Sequence, residues 1–109
     1  MTPTDQIVYN KVKAHLLNQK VRCVSEQGNC RYRNAEGQKC AAGSLIPDYL
    51  YSPAMENRTW NSAVSQYPDL LTLGNPELIQ QLQALHDRQD PKKWAKELEA
   101  LALKRGLIP

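Results

Sequence analysis

The chain has 109 residues, of which 41% are hydrophobic and 23% are charged. This length fits one domain and is too short for two, and the composition is that of ordinary globular proteins, which excludes a disordered chain. The net charge of +3 comes from basic residues that are interleaved with acidic ones, so the charge pattern lacks the clustered form typical of nucleic-acid-binding proteins.

Two features of the sequence predict where the protein resides. No run approaches the roughly 18 apolar residues that a membrane-spanning helix needs, and residues 1–5 lack the basic region and apolar stretch of a secretion signal. We therefore expect a cytoplasmic protein without a membrane partner. In that compartment the three cysteines, Cys23, Cys30 and Cys40, are expected to be free thiols, and their odd number argues against a disulfide framework.

The first predicted element is a helix over residues 4–18. Its apolar residues recur four positions apart, which is the spacing of one helical face. Thr4 or Asp5 can cap this helix, because their side-chain oxygens accept hydrogen bonds from the free N–H groups of the first turn. The apolar face consists of Val8, Val12 and Leu16, with Ile7 beside them.

Residues 21–42 predict a small β-hairpin. Glycine and asparagine tolerate positive φ, so residues 28–29 and 34–37 are predicted to be turns. Residues 30–33 and 38–41 are then the two arms of the hairpin around the second turn. Because a lone hairpin is marginal in water, this one must pack on helices or gain a third strand from the residues before it.

The middle of the chain predicts short elements. Residues 41–50 are small and apolar around a proline, which favours a short buried helix or turn. Residues 48–57 predict an ordered surface loop. Residues 59–67 predict a short helix that carries Trp60 inward and ends before Pro68.

The last third of the chain predicts two helices. Asn75-Pro76 and Asp90-Pro91 are typical helix starts, because Asn and Asp cap a helix and proline suits its first position. A connection of only a few residues makes the two helices antiparallel neighbours. The fold class predicted for residues 1–109 is therefore α+β: a mainly helical single domain with a small hairpin and a C-terminal antiparallel helical pair.

One segment has a distinctive pattern. It reads Cys-x-Tyr-Arg from Cys30 and Gly-x-Lys-Cys-Ala-x-Gly-x-Leu-Ile-Pro-Asp from Gly37, followed by Tyr51 and Met55-Glu56. A later run, Leu-Gln-x-x-His-Asp from Leu82, precedes the Trp94 helix. This pattern, over about half of the chain, resembles that of a group of uncharacterised small proteins of bacteria and their phages. The resemblance implies a phage or bacterial origin and brings no activity with it.

Cys40, His86 and Asp87 are the residue types of a thiol nucleophile, a base and an orienting acid. A thiol becomes a useful nucleophile only when a nearby cation or base lowers its pKa. The alternative is that Cys40 packs as a small hydrophobic residue, as buried free cysteines usually do. His86 would then hydrogen-bond residues 41–48, while Asp87 pairs with an arginine or lysine.

A metal site is a further alternative, because structural zinc takes four sulfur or nitrogen ligands. Cys23, Cys30, Cys40 and His86 supply that number. Their spacing is atypical of zinc sites, since no Cys-x2-Cys pair is present, and we expect no cofactor. A Cys30–Cys40 cross-link across the hairpin is the corresponding alternative in an oxidised sample.

The hairpin also predicts a nucleic-acid surface as an alternative function. Arg31, Arg33 and Lys39 are basic, and Tyr32 supplies an aromatic ring that can stack on a base. Alternation along a strand places Arg31 and Arg33 on one face, so a solvated basic face over a buried Tyr32 is the simpler interpretation.

Residues 48–57 predict a protein-contact surface, since tyrosine and methionine are enriched at interfaces. The function predicted from the sequence is a small non-enzymatic binding or regulatory protein, encoded by a phage or another mobile element, that contacts a host protein. A thiol-dependent enzyme and a weak nucleic-acid binder remain the alternatives, and the oligomeric state is left open. The predicted contact residues are Arg31, Arg33, Lys39, Asp48, Tyr49, Tyr51, Met55 and Glu56.

Overall fold

A computed structural model describes residues 3–109, and these form a mainly helical fold built on four α-helices. The α-helices are α1 (Asp5–Gln19), α2 (Trp60–Gln66), α3 (Pro76–Arg88) and α4 (Trp94–Lys104). Short 3₁₀ helices lie at Gly43–Leu45, Pro53–Met55, Pro68–Leu73 and Pro91–Lys93. None of the helices within the described residues combines the length and the apolar composition that a bilayer-spanning helix requires.

The α+β class and the predicted hairpin are wrong. Residues 3–109 contain no β-strand: one isolated antiparallel bridge, Arg33 with Lys39, joins the two arms, and a second, Val24 with Cys30, joins the preceding segment to the first arm. The predicted turns do form, because Gly28 and Gly37 adopt positive φ.

Side chains from distant parts of the sequence explain why no ladder follows these turns. The carboxylate of Glu56 accepts from the backbone N–H groups of Tyr32 and Arg33. The side-chain carbonyl of Gln19 accepts from the backbone N–H of Lys39. The Tyr32 N–H, which continued pairing of the two arms would need, is therefore already bonded to a side chain.

Helix α1 begins and ends close to its predicted bounds. The Thr4 hydroxyl accepts from the Ile7 N–H at 3.3 Å, as the capping rule predicts. The predicted apolar face is buried except for Ile7, which is 57% exposed. Tyr9 takes its place in the core, and its hydroxyl donates to the Leu98 carbonyl of α4 at 3.0 Å.

Helices α3 and α4 pack against each other at the positions that the sequence predicts. Asn75 caps α3, and Asp90 caps the 3₁₀ turn that leads into α4. Arg105, just after α4, reaches Glu77 at 3.0 Å and Gln81 at 2.6 Å in the first half of α3. The end of α4 therefore lies beside the start of α3, as in an antiparallel pair.

The central segment fits under the helices because its residues are small. Cys40, Ala41 and Ala42 are fully buried in the core that α1 and α3 help to form. Gly43 lies so close to the Tyr32 carbonyl that a Cβ at this position would overlap the oxygen. Glycine is therefore required there by space.

Candidate functional site

Cys40, the thiol singled out by the sequence, is fully buried in the core. Its sulfur accepts a hydrogen bond from the Gly43 N–H at 3.2 Å. Burial raises the pKa of the Cys40 thiol well above its ordinary value. The geometry therefore favours a cysteine packed as a small hydrophobic residue over a nucleophile.

His86 is buried on α3, and both of its ring nitrogens are engaged. The backbone N–H of Cys23 donates to Nε2 at 3.1 Å, and Nδ1 lies 2.7 Å from Oδ1 of Asp87. A backbone N–H can only donate, so Nε2 is the acceptor and Nδ1 carries the proton, which it donates to Asp87. The ring also stacks on Trp94, with centroids 5.4 Å apart.

The predicted partners of His86 and Asp87 are wrong. His86 bonds Cys23 rather than residues 41–48, and among the described residues Asp87 pairs with no arginine or lysine. Gln83 makes the contact that the sequence assigns to His86. Its side-chain oxygen accepts from the Ala42 N–H at 2.9 Å, and its amide donates to Asp87 at 2.9 Å.

These contacts form one continuous set of hydrogen bonds across α3, which we call the Asp87 network. It runs from the Ala42 N–H through Gln83 to Asp87, and from the Cys23 N–H through His86 to the same carboxylate. Asp87 is the final acceptor of both branches. The network therefore joins two loop segments of the central chain to one helix.

Cys30, rather than Cys40, lies beside His86 and Asp87. The ligand atoms of Cys30, His86 and Asp87 all lie within 4.8 Å of one another. Burial, together with the neighbouring Asp87 carboxylate, raises the pKa of the partly buried Cys30 thiol to about 11. A thiol beside a carboxylate is protonated at neutral pH, so this arrangement does not activate a nucleophile.

The four predicted zinc ligands are not brought together. Within residues 3–109, the cluster at ligand distances joins Cys30 and His86 to Asp87, without Cys23 or Cys40. A metal bound to Nδ1 of His86 would displace its proton to Nε2, where it would face the Cys23 N–H. Two donors would then oppose each other, so this conformation disfavours a metal. The alternative Cys30–Cys40 cross-link is also not formed, as all three cysteines are free.

The cysteine environments predict slow, pH-dependent thiol chemistry. Only Cys30 is partly exposed, and with a pKa of about 11 its thiolate fraction at pH 7 is about 10⁻⁴. We expect one thiol per native chain to react with an aromatic disulfide reagent, about tenfold faster for each unit of pH until about pH 11. The measurement is the absorbance of the released thiolate, with three thiols reacting in denaturant.

A Cys30→Ser variant is the control, and it should remove the reaction of the native protein. Rapid reaction of Cys40 in the native chain at pH 7 would contradict this assignment and revive the predicted thiol-dependent enzyme.

Glu56, a predicted contact residue, is only 8% exposed and cannot present its carboxylate to a partner. Its two oxygens accept from the N–H of Tyr32 at 2.9 Å, from the N–H of Arg33 at 3.2 Å and from the hydroxyl of Tyr51 at 2.6 Å. The Arg31 guanidinium lies 3.6 Å away. Glu56 is therefore a structural acceptor that gathers three parts of the central segment.

Arg33 is likewise turned toward its own chain. Its guanidinium donates to the Ile46 carbonyl at 2.8 Å, pairs with Asp48 at 2.8 Å and lies 4.4 Å from the centre of the Tyr51 ring. The Asp48 side chain remains 90% exposed, so this ion pair lies at the surface. Arg33 and Tyr51 therefore hold residues 46–51 against residues 31–33.

The predicted nucleic-acid surface is not formed as an open basic face. Arg31 donates to the Arg33 carbonyl at 2.8 Å, and the charges of both residues are directed to partners within the chain. Tyr32 is buried as the simpler interpretation predicts, and its hydroxyl donates to the Arg58 carbonyl, so the ring cannot stack on a base. Of the three basic residues predicted for this surface, Lys39 is the one whose charge has no ion-pair partner among the described residues.

Tyr49 is the predicted contact residue that is most clearly available. Its side chain is 85% exposed, and it borders a groove of about 380 Å³ between its loop and the 3₁₀ helix Pro68–Leu73. Met55, also predicted as a contact, is a buried core residue that also lines the groove. We call this feature the Tyr49 groove. Its lining residues are Tyr49, Leu50, Met55, Gln66, Tyr67, Pro68, Asp69 and Leu70.

Reasoning from the sequence overlooks half of this groove. Tyr67 and Asp69 flank Pro68 at the end of α2, where the sequence signals only a helix stop. A tyrosine before that proline and an acid after it indicate an exposed segment. They do not indicate that the loop of residues 48–57 lies opposite.

Comparison with known proteins gives no match: no family model, no curated protein and no solved structure matches this chain. The resemblance of the central segment to small proteins of bacteria and their phages therefore stays a prediction.

Proposed function

We propose that this protein is a small non-enzymatic binding or regulatory protein that acts by contact with another protein through the Tyr49 groove. The observation that carries the proposal is the exposure of Tyr49, at 85%, beside a groove whose lining mixes apolar and polar residues. Tyrosine is enriched at interface hot spots because it offers a large ring with few rotatable bonds and a hydroxyl that can hydrogen-bond.

The partner and the place of action rest on the sequence. The pattern from Cys30 to Glu56 supports an origin in a phage or another mobile element. A protein of the bacterial host is then the expected partner, and the bacterial cytoplasm is the expected compartment.

The environment of the thiols supports binding over catalysis. Cys40 is sealed in the core, and Cys30 faces a carboxylate. His86 has no free nitrogen with which to accept a proton from either thiol. A thiol-dependent enzyme would need an accessible thiol beside a histidine nitrogen that can accept its proton.

The proposal is tested by capture from bacterial lysate with tagged protein, followed by measurement of binary binding with the purified partner. We expect Tyr49→Ala to weaken that affinity about thirtyfold or more, since a hot-spot side chain contributes at least about 2 kcal/mol. Ile108→Ala is the matched control, because it truncates a side chain that is 75% exposed elsewhere on the surface.

Equal affinity of Tyr49→Ala and the unchanged protein for that partner would overturn the groove as the contact surface. Failure to retain any protein in lysates of several hosts would overturn the binding function itself. Nucleic acid in the eluate, with an affinity that falls steeply with salt, would instead favour the nucleic-acid alternative.

A further inference from the structure

The Tyr49 groove holds a single charged residue. Asp69 is exposed at its edge, and among residues 3–109 its carboxylate has no hydrogen-bond or ion-pair partner. The chain as a whole carries a net charge of +3, so this negative groove is a local feature that opposes the overall charge. A cationic group is therefore the charge that complements the groove.

Two aromatic rings line the same groove. Tyr49 is exposed and Tyr67 is partly exposed, and the hydroxyl of neither residue has a hydrogen-bond partner within the described chain. The face of a tyrosine ring attracts a cation, and a guanidinium stacks on it while its N–H groups remain free to bind a carboxylate. Tyr49, Tyr67 and Asp69 thus offer the two interactions that an arginine side chain makes together.

Apart from the polar Gln66, the remainder of the lining is apolar. Leu50 and Pro68 are accessible in the groove, and the buried Met55 and Leu70 lie beneath them. Such a surface suits the methylene groups of an arginine and an apolar residue next to it.

We infer that the Tyr49 groove takes an arginine side chain, flanked by an apolar residue, from the partner protein. This inference rests on the proposed function and specifies the chemistry of the partner. Asp69 would pair with the guanidinium while the tyrosine rings stack on it. Tyr49 and Asp69 are then the residues that determine specificity.

The test uses the full ¹⁵N-labelled chain and two peptides, Ac-Gly-Leu-Arg-Leu-Gly-NH₂ and its glutamine counterpart, in NMR titrations. We expect the arginine peptide to shift the amide signals of residues 49–50 and 66–70 with a saturable curve. Its affinity should exceed that of the glutamine peptide at least about threefold, as expected for an exposed ion pair with a cation–π contact.

Asp69→Asn should bring the two affinities together. Asparagine keeps the size of the side chain and removes the charge, while Glu99→Gln removes an exposed charge on α4 as the matched control and should leave the difference intact. Thermal melting of both variants checks that the 3₁₀ helix containing Asp69 is retained.

Equal affinity of the two peptides, shifts outside the groove, or an unchanged preference in Asp69→Asn would each overturn the inference. If any of these results is obtained while Tyr49→Ala still weakens the affinity for the captured partner, the proposed function stands and the assigned occupant is wrong. If Tyr49→Ala also leaves the partner's affinity unchanged, both fail.

Discussion

Replacing Glu56 with alanine is expected to lower the free energy of unfolding by about 3 kcal/mol or more. The variant removes the acceptor of the Tyr32 and Arg33 N–H groups and of the Tyr51 hydroxyl. The backbone donors of the buried Tyr32 and the partly buried Arg33 then have no partner, and an unpaired buried donor costs about 1–3 kcal/mol. The measurement is urea denaturation followed by the fluorescence of the two tryptophans, which are both buried.

Three variants separate the contributions at this site. Tyr51→Phe removes one hydrogen bond and should cost about 1 kcal/mol. Glu56→Gln keeps one acceptor oxygen but turns an amide donor toward other donors, so its loss should be intermediate. Glu36→Ala truncates an exposed carboxylate in a turn and should change stability by less than about 0.5 kcal/mol. A Glu56→Ala protein as stable as Glu36→Ala would show that the buried carboxylate is dispensable.

Replacing His86 with alanine is expected to destabilise the fold by about 3 kcal/mol, because a buried ring that stacks on Trp94 is lost and a cavity is left. The Cys23 N–H and the Asp87 carboxylate also lose a partner. His86→Gln should recover part of this loss, since its side-chain oxygen can reach the position of Nε2 and accept from Cys23. Urea denaturation again reports the difference.

The contrast between the two variants decides the role of His86. A structural acceptor is rescued in part by glutamine, while a base that reacts with a thiol is not. Equal destabilisation by alanine and glutamine, or no destabilisation by either, would contradict the hydrogen-bonding role.

The helices are predictable from the sequence because their signals are local. Asn75-Pro76 starts α3 and Asp90-Pro91 starts the 3₁₀ turn that leads into α4, by capping chemistry that needs only neighbouring residues, and Thr4 does the same for α1. The apolar spacing that follows each start then indicates which face is buried. Ile7 shows the limit of this reasoning, since spacing alone does not decide which residue at the edge of a face is covered.

The hairpin is not predictable in the same way, because its outcome depends on Glu56, which lies 24 residues from Tyr32. Turn signals at Gly28 and Gly37 are correct, yet a distant carboxylate takes the Tyr32 N–H that the second arm would have used. Local patterns report what a segment prefers by itself, and a tertiary hydrogen bond overrides that preference.

The pairing of thiol and histidine is likewise decided by the fold. Cys30 and Cys40 are chemically identical in the sequence, and only the path of the chain places Cys30 beside His86 and Cys40 in the core. The Tyr49 groove has the same origin, since its two walls are separated in sequence by α2.

The Asp87 network has a consequence for how the molecule opens. Both of its branches end on one carboxylate, so loosening either branch changes the acceptor that the other one uses. The amide protons of Cys23 and Ala42, which are 19 positions apart in the chain, should therefore exchange with solvent through the same opening reaction. In hydrogen-exchange experiments the two protons should show equal protection and lose it together in Gln83→Ala, which would make them members of one unfolding unit.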